Sequence, residues 1–184
     1  MKTAHALAIL SLALLTSACS SKAPVAPPVV QAAPPPWAES RIAHLSSIAA
    51  EQGFEIEREG EQIRLIIPVA GNFHPKRTLL LPSGLVPLSK VAQALKDDVD
   101  SQYSVIGHSD SSGDADINHQ LSMERAQAVA SVLMLGGVSR QRMHLRSMGE
   151  AQPRADNNTP TGQELNRRVE ILLTPYPTRV ASAN

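Results

Sequence analysis

Cysteine occurs once in the 184 residues, so no disulfide can close within the chain and its stability must come from burial. Aromatic residues amount to 3%, too few for the stacking platforms that hold single-stranded nucleic acids or extended sugar chains. Neither sign of charge prevails: 17 Lys and Arg stand against 17 Asp and Glu, which lacks the basic footprint of a nucleic-acid binder and gives no pull toward an acidic membrane surface. A long hydrophobic run is missing too. The apolar stretch at residues 6–15 is too short to cross a bilayer as a permanent helix, which needs about 20 residues. What is present is a hydrophobic fraction of 42%, enough for one domain of ordinary size with extensions, and no internal repeat is evident.

Residues 1–18 have the form of an export signal, with Lys2 and His5 near the start, the apolar run, and small residues before Cys19. Leu15-Thr16-Ser17-Ala18-Cys19 resembles the lipobox of bacterial lipoproteins, although Thr16 stands where Leu is common. That resemblance implies an acylated Cys19 as the first mature residue. Ser20 rather than Asp follows it, which by the sorting rules of such lipoproteins implies the outer membrane. Several acyl chains, at about 0.8 kcal/mol per buried methylene, would anchor firmly where a single chain would not. Residues 19–36 are rich in Pro, Ala and Val with almost no charge, a composition that builds no core and favours an extended spacer of about 3.1 Å per residue.

Helical spacing of Ile42, Leu45, Ile48 and Ala49 predicts a helix over Trp37–Gln52 with Gly53 as its stop and Trp37 capping the core. Alternation predicts strands over 54–58 and 62–67 around a Glu59-Gly60 turn. Residues 68–87 read as a long connection anchored by Phe73 and Leu79 to Leu81. A short helix carrying Leu88, Val91, Ala92 and Leu95 follows, then a strand over 103–106. A helix is expected over 116–135, closed by Gly136-Gly137, then a strand over 142–148, a polar loop over 149–160, a helical turn over 161–165 and a last strand over 168–174. Strands separated by helices need crossover connections. The expectation is an α+β fold: a mixed β-sheet with helices packed on it, preceded by an extra helix and strand at residues 37–61, with a tail at 176–184.

The stretch GHSDSSGDADINHQLSMER, beginning at Gly107, carries the chemistry. In the helix, Leu121, Val129, Val132 and Leu133 define an apolar face, and Arg125 falls on or beside it. A half-buried arginine is costly without a partner. Helical side chains lean toward their own N-terminus, so Arg125 points at the loop carrying Asp110, and the helix dipole also favours an anion there. A ligand with a carboxylate for Arg125 and an ammonium for Asp110 would satisfy both charges.

Gly107-His108-Ser109-Asp110, Asn118, Leu121-Ser122, Arg125-Ala126, Gly149-Glu150, Pro153, Asn157, Thr159, Gly162 and Asn166-Arg167-Arg168-Val169 resemble, in order and spacing, the OmpA-like peptidoglycan-binding domain. The resemblance covers about residues 63–173, and the domain is placed at 62–175. It implies a βαβαβ core in which Asp110 and Arg125 contact the zwitterionic end of meso-diaminopimelate in the cell-wall stem peptide, with Asn118, Ser109 and backbone of Gly107 nearby. It further implies a non-enzymatic, periplasm-facing protein of the outer membrane that needs no cofactor and has peptidoglycan as its partner. An envelope protein is a second possible partner, as in the Pal branch of the family. Two departures are Ser109 where the family usually has Thr, and Gln163 where it usually has Arg.

Other chemistries fit less well. Gly107-His108-Ser109-Asp110-Ser111 begins like a hydrolase nucleophile elbow but has Ser111 where the second glycine belongs. A cell-wall hydrolase would need a base within hydrogen-bond reach of Ser109. Asp110, Asp114 and Asp116 miss the calcium-loop template, because Gly113 precedes Asp114 and no bidentate Glu closes the loop. His108, His119 and His144 lack metal-ligand spacing. Arg167 and Arg168, adjacent on a strand, cannot both serve one site, and a structural role is expected for the pair; by the resemblance one of them lies near the crevice.

Overall fold

The computed structural model describes residues 36–75 and 77–177. The expected export signal, Cys19 and the linker to residue 35 lie outside the described residues, as do residues 178–184 of the tail.

Within the described residues, four α-helices and five strands follow one another: α1 (Trp37–Gln52), β1 (Glu55–Glu59), β2 (Gln62–Pro68), α2 (Pro82–Leu95), β3 (Ser101–His108), α3 (Ala115–Leu135), β4 (Met143–Gly149), α4 (Pro160–Asn166) and β5 (Arg168–Pro175). The sheet order is β1-β2-β5-β3-β4, antiparallel throughout except for the parallel β3–β4 pair. The expected α+β fold, a mixed sheet with packed helices, is what the chain adopts.

Alternation decides the two faces of the sheet. Ile63, Leu65 and Ile67 of β2, Val169, Ile171 and Leu173 of β5, and Tyr103 and Val105 of β3 are all buried on one face, against α1, α2 and α3. Register puts Ile66, Glu170 and Ile106 side by side on the other. The helix ends obey local chemistry. Gly53 adopts φ 70° to close α1, and the Asp114 carboxylate accepts from the Asp116 and Ile117 N–H groups to open α3. Asp114, which misses the calcium-loop template in the sequence, is thus an N-cap. Trp37 is half-buried against the core, donates from Nε1 to the Asp100 carbonyl at 3.0 Å, and lies under the Arg41 guanidinium.

Two expectations fail between β2 and β3. Helix α2 begins at Pro82 and runs through Pro87, six residues before the first apolar position named for it. Proline suits the first helical turn, and burial of Gly84, Leu88 and Val91 holds the turn containing Pro87 despite its missing N–H. Leu79 is not an anchor. It is 63% exposed, whereas Phe73 is buried and bridges to Leu80.

Candidate functional site

Strand β3 ends at a cluster of buried polar side chains, Ser109, Asp110, Asn118 and Arg125, where the crevice is expected. Gly107 makes this possible by an absence: a Cβ there would stand 1.9 Å from the Ser122 carbonyl oxygen, so only glycine lets α3 lie this close to β3. The close approach brings Arg125, about one helical turn beyond Leu121, to the mouth of the strand that delivers Asp110. Ser109 continues from β3 with its N–H donating to the Gly149 carbonyl at 2.8 Å, past a register shift at Gly107 and His108.

Asp110 is buried, and both carboxylate oxygens are used. Oδ1 accepts from the Ser112 N–H at 3.0 Å, and Oδ2 accepts from Arg167 Nη1 at 2.5 Å. Asn118, also buried, offers its Nδ2 hydrogens to the Asp110 and Ser112 carbonyls and to Glu150 Oε2, at 3.3, 3.1 and 3.0 Å. It therefore shapes the loop that holds Asp110. Arg125 is 3% exposed, and its Nε has no hydrogen-bond partner among the described residues. Burial, and then repulsion from Arg167, push its guanidinium below the ordinary arginine value, while the Asp110 charge works the other way. The site gathers two arginines around one aspartate.

Of the residues predicted for the site, Asp110, Ser109, Asn118 and Arg125 come together at the crevice. Gly107 lies beneath it in a packing role, and Cys19 is outside the described residues. A structural role is expected for the Arg167–Arg168 pair, with one of the two near the site by the resemblance, and Arg167 is the one that pairs with Asp110. Its backbone, at φ −74° and ψ 90°, is the cap of α4 and precedes β5, so strand alternation does not govern it. Arg168 is tied into the framework: its Nε bonds Glu170 Oε1 at 2.8 Å, and its Nη2 reaches the Gln152 carbonyl at 3.2 Å.

A second layer holds the crevice. Asn166, fully buried, accepts from the Arg154 and Ala155 N–H groups and donates to Asn157 Oδ1, which in turn accepts from the Ser111 N–H. Thr159 caps α4, and Gln163 donates to the Asn157 carbonyl at 2.9 Å, so the Gln that replaces the usual Arg is tied to this loop. Ser109 Oγ is buried without a hydrogen bond among the described residues. His108 is buried with Nε2 at 3.6 Å from Glu170 Oε1, and His119 and His144 are exposed.

The fold is an open five-stranded mixed sheet packed by helices, with two arginines gathered around one aspartate beyond the end of β3. The cell wall anchor of the T6SS from Pseudomonas aeruginosa superposes with a TM-score of 0.65 at 26% identity, over 74% of this chain and 97% of that one. The chain belongs to the OmpA family, whose profile matches residues 72–167. Among its relatives, the outer-membrane lipoprotein YfiB of Pseudomonas aeruginosa is 34% identical over 91% of each chain. The probable lipoprotein YiaD of Escherichia coli is 40% identical over 67% of this chain, and the peptidoglycan-binding protein ArfA of Mycobacterium tuberculosis is 37% identical over 51%. The chain spans 56% of YiaD and 29% of ArfA. These similar proteins are thus named as lipoproteins, as a peptidoglycan-binding protein and as a cell wall anchor.

Proposed function

We propose that this chain is a lipid-anchored outer-membrane protein that faces the periplasm and binds peptidoglycan non-covalently through the diaminopimelate of the stem peptide. The observation that carries the reading is Arg125, a buried cation whose Nε lacks a partner among the described residues, beside an aspartate already held in place. In this mechanism Arg125 takes the ligand carboxylate through its planar fork, and the positive charge of Arg167 adds to the attraction. Asp110 receives the ammonium on remaining lone pairs, since each carboxylate oxygen can accept twice. Ser112 and Arg167 hold it in position for this. Charge-assisted hydrogen bonds contribute roughly 1.5–3 kcal/mol each, so two or three give modest affinity for one stem peptide. Tethering at Cys19 and the many stem peptides of a wall raise the effective concentration without new contacts.

Diaminopimelate differs from lysine by the carboxylate that Arg125 would hold, which makes the test selective. The full chain should co-sediment with diaminopimelate-type peptidoglycan and much less with lysine-type. Asp110→Ala and Arg125→Ala variants, folded by circular dichroism, should stay in solution, and no preparation should release soluble wall fragments. Equal pelleting by the variants would remove the site from this role. The anchor has its own assay: Cys19→Ser should move the protein from the outer-membrane fraction to the soluble periplasm, and unchanged fractionation would exclude acylation as the tether.

A further inference from the structure

Strand β4 is an edge of the sheet, paired with β3 on one side only, so half of its backbone donors and acceptors face outward. Among the described residues no strand covers them. Beside this edge a groove of about 520 Å³ runs between β4 and α3, with Ala130 and Met134 on the helix side and Met143 and Leu145 on the strand side. Leu145 is 40% exposed, although an edge position of this kind needs no apolar side chain.

Charge decides what could lie there. Arg140 and His144 line the groove and Arg146 follows on the strand; all three are exposed. Among the described residues Arg140 and Arg146 make no ion pair, and no carboxylate lines the groove. Antiparallel pairing of two copies through β4 would bring these cations against each other, which opposes a symmetric dimer. On the other edge, β1, Arg154 already pairs with Glu55 and Glu57, which leaves Glu59 as the one β1 carboxylate outside an ion pair among the described residues. Outward backbone groups, an apolar groove beside alternate side chains, and unpaired cations match one occupant.

We propose that the outer edge of β4 docks an extended acidic segment of another protein, which adds a strand to the sheet and seats apolar side chains in the α3–β4 groove. Because β4 runs parallel to β3, the groove at its start lies at the end of the sheet away from the Asp110 crevice. Wall and protein partner can therefore be held at once.

A fluorescent synthetic peptide alternating Glu with Val and Leu, and its Lys-for-Glu counterpart, test this on the full chain by anisotropy. The Glu peptide should bind about tenfold more tightly than the Lys peptide and slow hydrogen exchange at amides 143–147. The double variant Arg140→Glu/Arg146→Glu should reverse the preference while still pelleting with peptidoglycan, and Arg125→Ala should leave peptide binding unchanged. Equal binding of both peptides, or no protection on β4, would overturn the proposal. So would concentration-dependent self-association, or protection of β4 by anionic lipid vesicles, that the same double variant abolishes.

Discussion

At 3% exposure Arg125 keeps a charge that its surroundings resist, a cost that the proposed ligand would offset. Removing the charge while keeping the bulk should therefore help the fold and harm the function. Arg125→Met is expected to raise the melting temperature by about 3 °C or more, equivalent to roughly 1 kcal/mol for a chain of this size, and to lose peptidoglycan retention. A fall in melting temperature would show that the guanidinium is a net stabiliser. Glu170 is the opposite case. Burial alone would raise its pKa, but His108 and the Arg168 guanidinium outweigh it and hold the carboxyl at about 2, from an ordinary 4.5. A depressed folded pKa stabilises above the unfolded value and loses that contribution as pH falls, here from about 4.5 toward 2. The size is on the order of 3 kcal/mol. Denaturant midpoints should drop steeply across that window. In Glu170→Gln the midpoint should be lower at pH 7 and the acid slope flatter; an unchanged slope would place the acid sensitivity elsewhere.

Among the elements, the docking of α3 on β3 matters most to the crevice, and Gly107 sets its distance. Gly107→Ala forces the helix outward against the Ser122 carbonyl, at a cost of about 1–3 kcal/mol. Since α3 carries Arg125 and β3 delivers Asp110, the same change should weaken peptidoglycan co-sedimentation in molecules that still fold, which thermal melts and pelleting assays can follow together. Periodicity makes α1 and α3 legible in the sequence nearly to the residue, because each has an apolar face and a local stop or cap. Helix α2 is not, because its first half is held by packing: a Cβ at Gly84 would stand 2.5 Å from the Asn72 carbonyl, and no local pattern announces that approach. The site is legible where its residues sit close in sequence, Asp110, Asn118 and Arg125. Arg167 comes 57 residues after the aspartate it pairs with, and its direction depends on the turn between α4 and β5.

For the whole molecule, the crossovers imply a mixed sheet, but nothing within any strand says that β5 inserts between β2 and β3. That insertion follows from burial, since β5 is covered on both faces over most of its length and takes a central place. Its neighbour β3 spans the domain from the start of α1 to Asp110. Trp37 is pinned to the Asp100 carbonyl just before β3 begins, and Asp110 stands just beyond its last residue. A force applied between these two points runs lengthwise along a strand of about 26 Å. Ladders to β5 and β4 flank it on either side, so their hydrogen bonds share the load together instead of opening one by one. The domain is thus strained in shear, the direction in which a sheet yields last, when chain entry and crevice are drawn apart.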